Sequence, residues 1–260
     1  MKASYTSGVP ASIRLYQILL LLALLLIWHV LVQLRVLPPF FFGEPLKVLT
    51  QIWVWFSSGV IYQHLGITLL ETMISFFIGL ALGVGAGLWL GLSNTASLLL
   101  DPYIKALNAM PRVILGPIFV VWFGLGIWSK VVLGVTLVFC VVFFNVFQGV
   151  REVNPNILSS ARMLGASRRQ LLRTVYLPSA TSWVFSSLHT SIGMAFVGAV
   201  IGEYLGSSRG VGYLILQAEA VFDVNTVFAG IIVLTLCALA LDSLVSVIEK
   251  RLMVWRPVAT

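Results

Sequence analysis

The stretch Asn154–Pro178, NPNILSSARMLGASRRQLLRTVYLP, is the longest polar and basic segment in an otherwise apolar chain. Asn154 is a favourable helix N-cap, and Pro155 would occupy the first helical position, where its missing N–H costs nothing. Gly165 predicts the end of this helix, because glycine adopts the left-handed conformation common at helix C-termini. The apolar residues between them have helical spacing: Ile157, Leu158, Ala161 and Leu164.

A second short helix is predicted after this glycine. Ser167 and Gln170 have the spacing of a capping box, and Pro178 predicts that the helix ends before it. Its basic residues are Arg168, Arg169 and Arg173. Two short basic helices between apolar segments predict a docking element on the cytoplasmic side that contacts a soluble partner.

The composition defines the class of protein. Apolar residues make up 59% of the chain and charged residues 10%, against roughly 25% charged residues in soluble domains. The chain is therefore predicted to be an all-α polytopic membrane protein. The net charge of +7 is explained by basic residues in the connections between spans, so no nucleic-acid partner is predicted. Cys140 and Cys237 lie in apolar runs and are interpreted as buried small hydrophobic residues.

Hydropathy predicts about six transmembrane spans. They lie at about 15–34, 67–92, 105–123, 131–149, 180–201 and 226–248. The first apolar run has no small-residue cleavage site, so it is interpreted as a span and not as a signal peptide. The domain plan is a tail at 1–14, a transmembrane domain at 15–248 containing the loop 154–178, and a tail at 249–260.

The distribution of Lys and Arg predicts that both termini and the 154–178 loop are cytoplasmic. The segments assigned to the cytoplasm contain Lys2, Arg14, Lys105, Arg151, Arg162, Arg168, Arg169, Arg173, Lys250, Arg251 and Arg256. The segments assigned to the outer side contain only Arg35, Lys47, Lys130 and Arg209. Among the connections, 38–63 is predicted to be an amphipathic interfacial helix, 93–104 a short inner turn, and 202–225 a partly re-entrant segment.

Small residues and prolines mark two spans. Every fourth residue of one stretch of the second span is glycine: Gly79, Gly83, Gly87 and Gly91. These glycines lie on one stripe of a helix and predict close helix packing, within the chain or across a dimer. Pro111 and the Gly116–Pro117 pair predict that the third span is broken, which is tolerated where a helix is buried or lines a cavity.

The sequence contains no pattern typical of an enzyme. No P-loop or hydrolase motif is present, so the chain is predicted to have no catalytic site and no cofactor of its own. His29, His64 and His189 are far apart in the sequence, so no metal site is predicted.

Polar residues within apolar spans are costly and require an explanation. Glu71 and Asp242 are placed near span ends, where solvation or an ion pair would account for them. Arg112 either extends to the inner interface or lines the inner mouth of an anion path, and His189 is either a packing residue or part of that path. The candidate pathway-lining residues are Asn108, Arg112, His189, Thr190 and Met194.

The 154–178 segment resembles the EAA loop of ABC-importer permeases. The family pattern is Glu-Ala-Ala, a glycine four residues later, an aliphatic residue ten further on, and then x-Leu-Pro. The matching positions here are Ser159, Ser160, Ala161, Gly165, Val175, Leu177 and Pro178. Ser159 and Ser160 depart from the pattern by replacing Glu and Ala, which removes the acidic contact usual at that position.

Three further segments resemble the nitrate/sulfonate/taurine branch of these permeases. They are LPPFFFGEPLKVL, LNAMPRVILGPIFVVWFGLGIWSK and GVGYLI. The resemblance implies a type I ABC importer permease fold in the bacterial inner membrane. It also implies a homodimer with two cytoplasmic ATPases that bind ATP and Mg, and a periplasmic or lipid-anchored solute-binding protein. The residues assigned to ATPase coupling are Ser159, Ser160, Ala161, Gly165, Ser167, Arg168, Arg169, Arg173, Leu177 and Pro178.

The resemblance implies ATP-driven import by alternating access. The expected cargo is a small anion such as a sulfonate, taurine, nitrate or an aromatic carboxylate. An ion-gradient-driven secondary transporter or channel is the alternative, although few paired ionisable groups of the proton-relay kind occur in the spans. A membrane scaffold without transport is the third hypothesis.

Overall fold

The computed structural model describes residues 11–252. The helices in this part of the chain are α1 Ala11–Gln33, α2 Pro39–Phe42, α3 Pro45–Ser58, α4 Val60–Leu92, α5 Asn94–Ala109, a 3₁₀ turn at Arg112–Leu115, α6 Gly116–Phe123, α7 Ile127–Arg151, α8 Pro155–Met163, α9 Arg168–Leu171, a π-helical turn at Leu172–Tyr176, α10 Leu177–Leu205, α11 Val211–Ala220 and α12 Val224–Leu252. Most of the two predicted tails, including Lys2 and Arg256, lies outside the described residues.

Within residues 11–252, five helical segments are long and apolar enough to cross a membrane. They are Ser12–Gln33, Val60–Leu92, Ile127–Arg151, Arg168–Leu205 and Val224–Glu249. A sixth span is present if α5 and Arg112–Phe123, which are bent by 85° at the break between them, count as one crossing. The prediction of an all-α polytopic membrane protein with about six spans is confirmed.

The third span differs from its prediction. The proposed turn at 93–104 is wrong, because α5 begins at Asn94 and contains Pro102 within it. The Ser93 side chain caps this helix by accepting the Ala96 N–H at 3.3 Å. The break comes at Met110, whose backbone is extended with a ψ of 129°. Pro111 follows, and a proline disfavours helical backbone in the residue before it.

The chain divides into two compact units, which we describe separately. Within the described residues, one contains 11–59 together with Ile215–Val233, and the other contains Val60–Leu214 together with 234–252. In the first unit, α3 ends at Gly59, whose φ is +80°. The helix predicted within 38–63 is present as α3, but it is shorter than predicted, because the left-handed glycine ends it.

Within the first unit, polar and aromatic contacts join segments distant in sequence. The backbone N–H of Glu44 donates to Asn225 Oδ1 at 2.7 Å. The rings of Trp28 and Phe228 lie 5.6 Å apart. Most side chains of α1 are exposed, and leucine and isoleucine are the commonest among them, as a helix surrounded by lipid requires.

The second unit is built on close contact between α4 and α7. The four glycines at 79, 83, 87 and 91 face four valines of α7, in register: Val138, Val142, Val146 and Val150. A Cβ added to any of these glycines would lie 2.6–2.8 Å from the Cβ of its valine. Both stripes repeat every fourth residue, so the absent glycine side chains let the two backbones approach closely. The glycine stripe of α4 therefore packs against α7 of the same chain.

Helix α10 packs against the same pair by a similar device. A Cβ on Gly198 would lie 2.5 Å from the Cα of Gly134, so the two backbones themselves are in contact. The buried apolar core of this unit contains Phe76, Val138, Val142, Val146, Val150, Ala180, Ile192, Ala195 and Val245. Helices α4, α7 and α10 therefore form one packed bundle, from which the 154–178 segment projects between α7 and α10.

Candidate functional site

The first helix of the 154–178 segment is closed at both ends by local hydrogen bonds. Asn154 Oδ1 accepts the Asn156 N–H at 2.9 Å, and Pro155 occupies the first turn. At the other end, the N–H groups of Gly165 and Ala166 donate back into α8 at 2.9 and 3.1 Å. Gly165 has a φ of +82°, the left-handed conformation that glycine adopts without strain. The predicted cap and glycine terminus are confirmed.

The second helix begins as predicted but does not end as predicted. Ser167 Oγ accepts the Gln170 N–H at 3.3 Å, and the Ser167 N–H donates to Gln170 Oε1 at 2.7 Å, so the capping box is confirmed. The predicted end before Pro178 is wrong, because the helical run is continuous over Arg168–Leu205. A π-helical turn stands directly before Pro178, where the proline has no N–H to donate. The chain after Gly165 is thus joined to the core by unbroken helix.

Two large apolar side chains are exposed at the glycine turn. Met163 is 81% exposed and Leu164 is 89% exposed. Ser159, Ser160 and Gly165 are exposed beside them. Sequence reasoning placed Leu164 on the apolar stripe of α8 and missed Met163 as a functional candidate. The signal was available, because two large apolar residues immediately precede a helix-ending glycine in a polar loop.

Basic and apolar side chains line a cavity of about 570 Å³ beside this turn. Its lining residues are Leu92, Arg162, Arg168, Arg169, Leu171, Leu172 and Tyr176. The three arginines are exposed, so their positive charges face the space next to α8 and α9. Arg173, Leu177 and Pro178 are also exposed, whereas Ala161 is half-buried. Arg162 joins the predicted pair Arg168 and Arg169, although sequence reasoning did not place it in the site.

Two of the predicted pathway residues contact each other. The Arg112 guanidinium donates to Asn108 Oδ1 at 3.3 Å. It also lies next to the Cys140 thiol of α7. Its Nε is buried and has no hydrogen-bond partner within residues 11–252. Leu107, whose carbonyl oxygen lies 3.5 Å from the guanidinium, is one of the residues that line an apolar cavity of about 250 Å³.

His189 connects two helices. Its Nδ1 lies 2.7 Å from Asp242 Oδ1, and its Nε2 lies 3.0 Å from Glu249 Oε2. Both partners belong to α12, and carboxylates only accept hydrogen bonds, so this arrangement suits an imidazolium that donates from both nitrogens. His189 therefore joins α10 to α12, while Thr190 and Met194 are exposed on α10.

Three buried ionisable residues were not recognised from the sequence. Lys130 was assigned to an outer connection and Glu71 to a span end, and both assignments were wrong. Glu71 lies well inside α4, Lys130 lies in the first turn of α7, and both are fully buried. Glu203, near the end of α10, is also fully buried. No sequence signal pointed to this cluster, because its members are far apart in the chain.

A polytopic helical bundle with a protruding helix–glycine–helix segment defines a membrane transport subunit as the class of this protein. Residues 79–254 match the family model described as binding-protein-dependent transport system inner membrane component. The chain belongs to this family, and it is the permease subunit of an ABC importer.

Individual relatives agree with this assignment. The chain is 33% identical to a putative aliphatic sulfonates transport permease protein, SsuC, of Bacillus subtilis, over 92% of this chain and 87% of the relative. It is 30% identical to the taurine transport system permease protein TauC of Escherichia coli, over 90% of this chain and 87% of that protein. These matches confirm the predicted resemblance to the sulfonate/taurine-type branch.

The fold has a counterpart among solved structures. A chain of the MetNI methionine ABC transporter in an inward-facing conformation superimposes with a TM-score of 0.62 at 18% identity. The match covers 74% of this chain and 94% of that chain. It confirms the predicted type I ABC importer permease fold.

Proposed function

We propose that the Asn154–Pro178 segment couples this permease to a separate cytoplasmic ATPase, and that the cargo is a small anion. The observation that carries the proposal is the exposed apolar pair Met163 and Leu164 beside a cluster of arginines. Large apolar side chains exposed on a polar loop are typical of a protein-binding surface. Arginine is favoured at interfaces because its planar guanidinium makes several directed hydrogen bonds. The expected partner surface has an apolar cleft with acidic residues at its rim.

The continuous helix after the glycine turn supports a mechanical role. Helix α9, the π-helical turn and α10 form one run over Arg168–Leu205, and α10 packs against α4 and α7 through backbone contacts. A displacement of the docked segment would therefore be transmitted to the core of the bundle. ATP binding would favour one arrangement of the spans only by binding more tightly to the ATPase in that state.

The complex that we propose contains several chains. It consists of two copies of this permease, two ATPases that bind ATP and Mg, and a periplasmic or lipid-anchored solute-binding protein. The permease itself would have no catalytic site and would not bind nucleic acid. It would lie among the lipids of the bacterial inner membrane with both termini in the cytoplasm, an orientation supported by the excess of Lys and Arg in the segments assigned to that side.

The proposed cargo is a sulfonate, taurine, nitrate or an aromatic carboxylate. The names of the relatives SsuC and TauC support a sulfonate. Arg112 supports an anion, because its Nε has no hydrogen-bond partner within residues 11–252 and its guanidinium contacts Leu107, which lines an apolar cavity. Guanidinium groups bind oxyanions in a planar, bidentate arrangement.

Replacing Arg168 and Arg169 together by alanine is expected to weaken binding of the ATPase by about tenfold. The cause is the loss of two exposed positive charges from the docking surface. Wild-type binding should also fall as salt is raised, whereas binding by the double variant should depend less on salt. The measurement is the dissociation constant of the ATPase from permease in nanodiscs. Arg209→Ala, on the side assigned to the outside, is the control, and equal binding by all three proteins would remove these arginines from the interface.

Replacing Met163 and Leu164 together by serine should weaken the same binding more strongly, by roughly a hundredfold or more. Each large apolar side chain buried at an interface contributes about 1.5–3 kcal/mol. Ile157→Ser is the matched control on the same helix, because Ile157 is less exposed, at 54%. The double variant should insert and purify normally, since neither side chain packs in the core. Binding at the wild-type level by the double variant would contradict the docking role.

A further inference from the structure

Three ionisable side chains from three different helices are buried together in the second unit. Glu71 of α4 is 1% exposed, and Lys130 of α7 and Glu203 of α10 are 0% exposed. The proposed transport function uses none of them. Burying charges in a bundle is costly unless they are paired and hydrogen-bonded, so their arrangement requires an explanation.

Glu203 has the surroundings of an ionised carboxylate. Its Oε1 accepts the Thr68 hydroxyl at 2.6 Å, and its Oε2 accepts the Gly212 N–H at 2.7 Å. Gly210 and Gly212 lie so close that a Cβ on either would collide with the Glu203 side chain. Because donors reach both oxygens, Glu203 acts as an acceptor, which is the role of the charged form.

Lys130 contributes the positive charge of the cluster. Its Nζ donates to the carbonyl oxygens of Leu125 and Gly126 at 2.6 and 2.9 Å. Lys130 also packs against Gly202, the residue next to Glu203, because a Cβ on Gly202 would lie 2.9 Å from Lys130 Cγ. One positive charge balances one carboxylate, so a second ionised carboxylate would leave a net negative charge buried in the bundle.

Glu71 is the second carboxyl group of the cluster. Glu71 lies about one helical turn from Thr68 on α4, the residue whose hydroxyl Glu203 accepts, and its Oε2 has no hydrogen-bond partner within residues 11–252. Two ionised carboxylates would repel each other here, whereas one proton between them forms a short, charge-assisted hydrogen bond. We propose that Glu71 is a proton-binding site: a neutral carboxylic acid that donates its hydrogen bond to ionised Glu203.

The proton would hold a connecting segment against the bundle. The segment 206–212 is attached by the Gly212 bond to Glu203 and by the Val211 N–H, which donates to Thr68 Oγ1 at 3.1 Å. The Gly210 N–H lies 3.1 Å from His64 Nδ1, and Tyr213 stacks on His64. The titratable groups around the site are therefore His64, Lys130, Glu203 and Tyr213. Loss of the Glu71 proton would make the two carboxylates repel each other. Glu203 would then move away, and the hydrogen bonds that hold the 206–212 segment would weaken.

Infrared spectroscopy of the purified full-length protein in a maltoside detergent, which has no carbonyl group of its own, tests the proposal directly. The wild type should show a carboxylic-acid C=O band at neutral pH, a band that ionised carboxylates do not give. Glu71→Gln should lack this band, and Glu152→Gln, a control at an exposed glutamate, should keep it. Absence of the band from the wild type at neutral pH would overturn the proposal without any variant, and so would persistence of the band in Glu71→Gln.

Thermal unfolding across pH provides a second, independent test. Wild-type stability should fall as pH rises and the proton is lost, whereas Glu71→Gln should be largely insensitive, because its amide N–H replaces the carboxylic donor. Glu203→Gln should lower the midpoint at neutral pH by roughly 5 °C or more, since an amide nitrogen would face the Thr68 or Gly212 donor. Equal losses in the two variants would overturn the assignment of donor and acceptor. A wild-type midpoint that depends on sodium or potassium would show that a bound cation occupies the site.

Discussion

Replacement of Gly165 by valine is expected to abolish ATP-driven transport while leaving insertion into the membrane intact. Gly165 has a φ of +82°, and for a residue with a side chain the left-handed conformation costs roughly 1–2 kcal/mol, and more with β-branching. That strain would lower the population of the docked turn geometry by about tenfold or more. Nothing lies within 4 Å of a Cβ added at this position, so the effect would come from the backbone and not from a steric clash.

Gly165→Asn is the matched control, because asparagine tolerates the left-handed region far better than valine does. The measurement is uptake into proteoliposomes that contain the permease with its copurified ATPase and binding protein. Gly165→Asn should retain a substantial part of the wild-type rate. Full activity of Gly165→Val would show that the turn geometry is not needed for coupling.

Replacement of Gly83 by leucine is expected to prevent correct packing of the bundle, whereas replacement of Gly85 by leucine should be tolerated. A Cβ at Gly83 would lie 2.7 Å from Val142 Cβ and 3.0 Å from the Phe139 carbonyl oxygen. A Cβ at Gly85, two residues along the same helix, meets nothing within 4 Å. Overpacking a core typically costs 1–3 kcal/mol, and here about three further carbon atoms would have to be accommodated.

The measurement for this pair is the monodisperse fraction on size-exclusion chromatography after solubilisation in mild detergent. The Gly83 variant should be mostly aggregated or degraded, and the Gly85 variant should elute like the wild type. Both variants change the composition and hydropathy of α4 equally, so only the packing differs. Similar behaviour of the two would indicate that the contact between α4 and α7 is looser than the structure has it.

Features determined by nearby residues could be predicted from the sequence. The cap at Asn154, the glycine turn at Gly165 and the capping box at Ser167 each depend on residues a few positions apart, and all three are present in the structure. The spans were recognised because long apolar helices have a strong signal in hydropathy. Local rules failed where they competed with packing, as at Pro178, where a π-helical turn lets the helix continue.

Features that depend on distant residues could not be predicted. Thr68 and Glu203 are 135 positions apart and form a buried hydrogen bond, yet neither has a neighbour in sequence that signals the other. The contact of His189 with Asp242 likewise joins two residues that are distant in the sequence. The glycine stripe predicted a close contact but left its partner open, because the valines of α7 have no distinguishing pattern in a chain rich in valine. The pathway residues Asn108, Arg112, Thr190 and Met194 remain predictions.

The central claim is that the glycine turn docks on an ATPase, and crosslinking from this turn tests it most directly. Leu164→Cys would be introduced with Cys237→Ser, since Cys140 is buried and Cys237 is partly accessible. A bifunctional reagent would then be applied to native membranes, and the crosslinked products identified by mass spectrometry, with Arg209→Cys as the control. We expect an ABC ATPase crosslinked from position 164 and not from position 209. Repeated recovery of the permease without an ATPase, together with ATP-independent flux through the purified chain, would contradict the account and favour an ion-driven transporter.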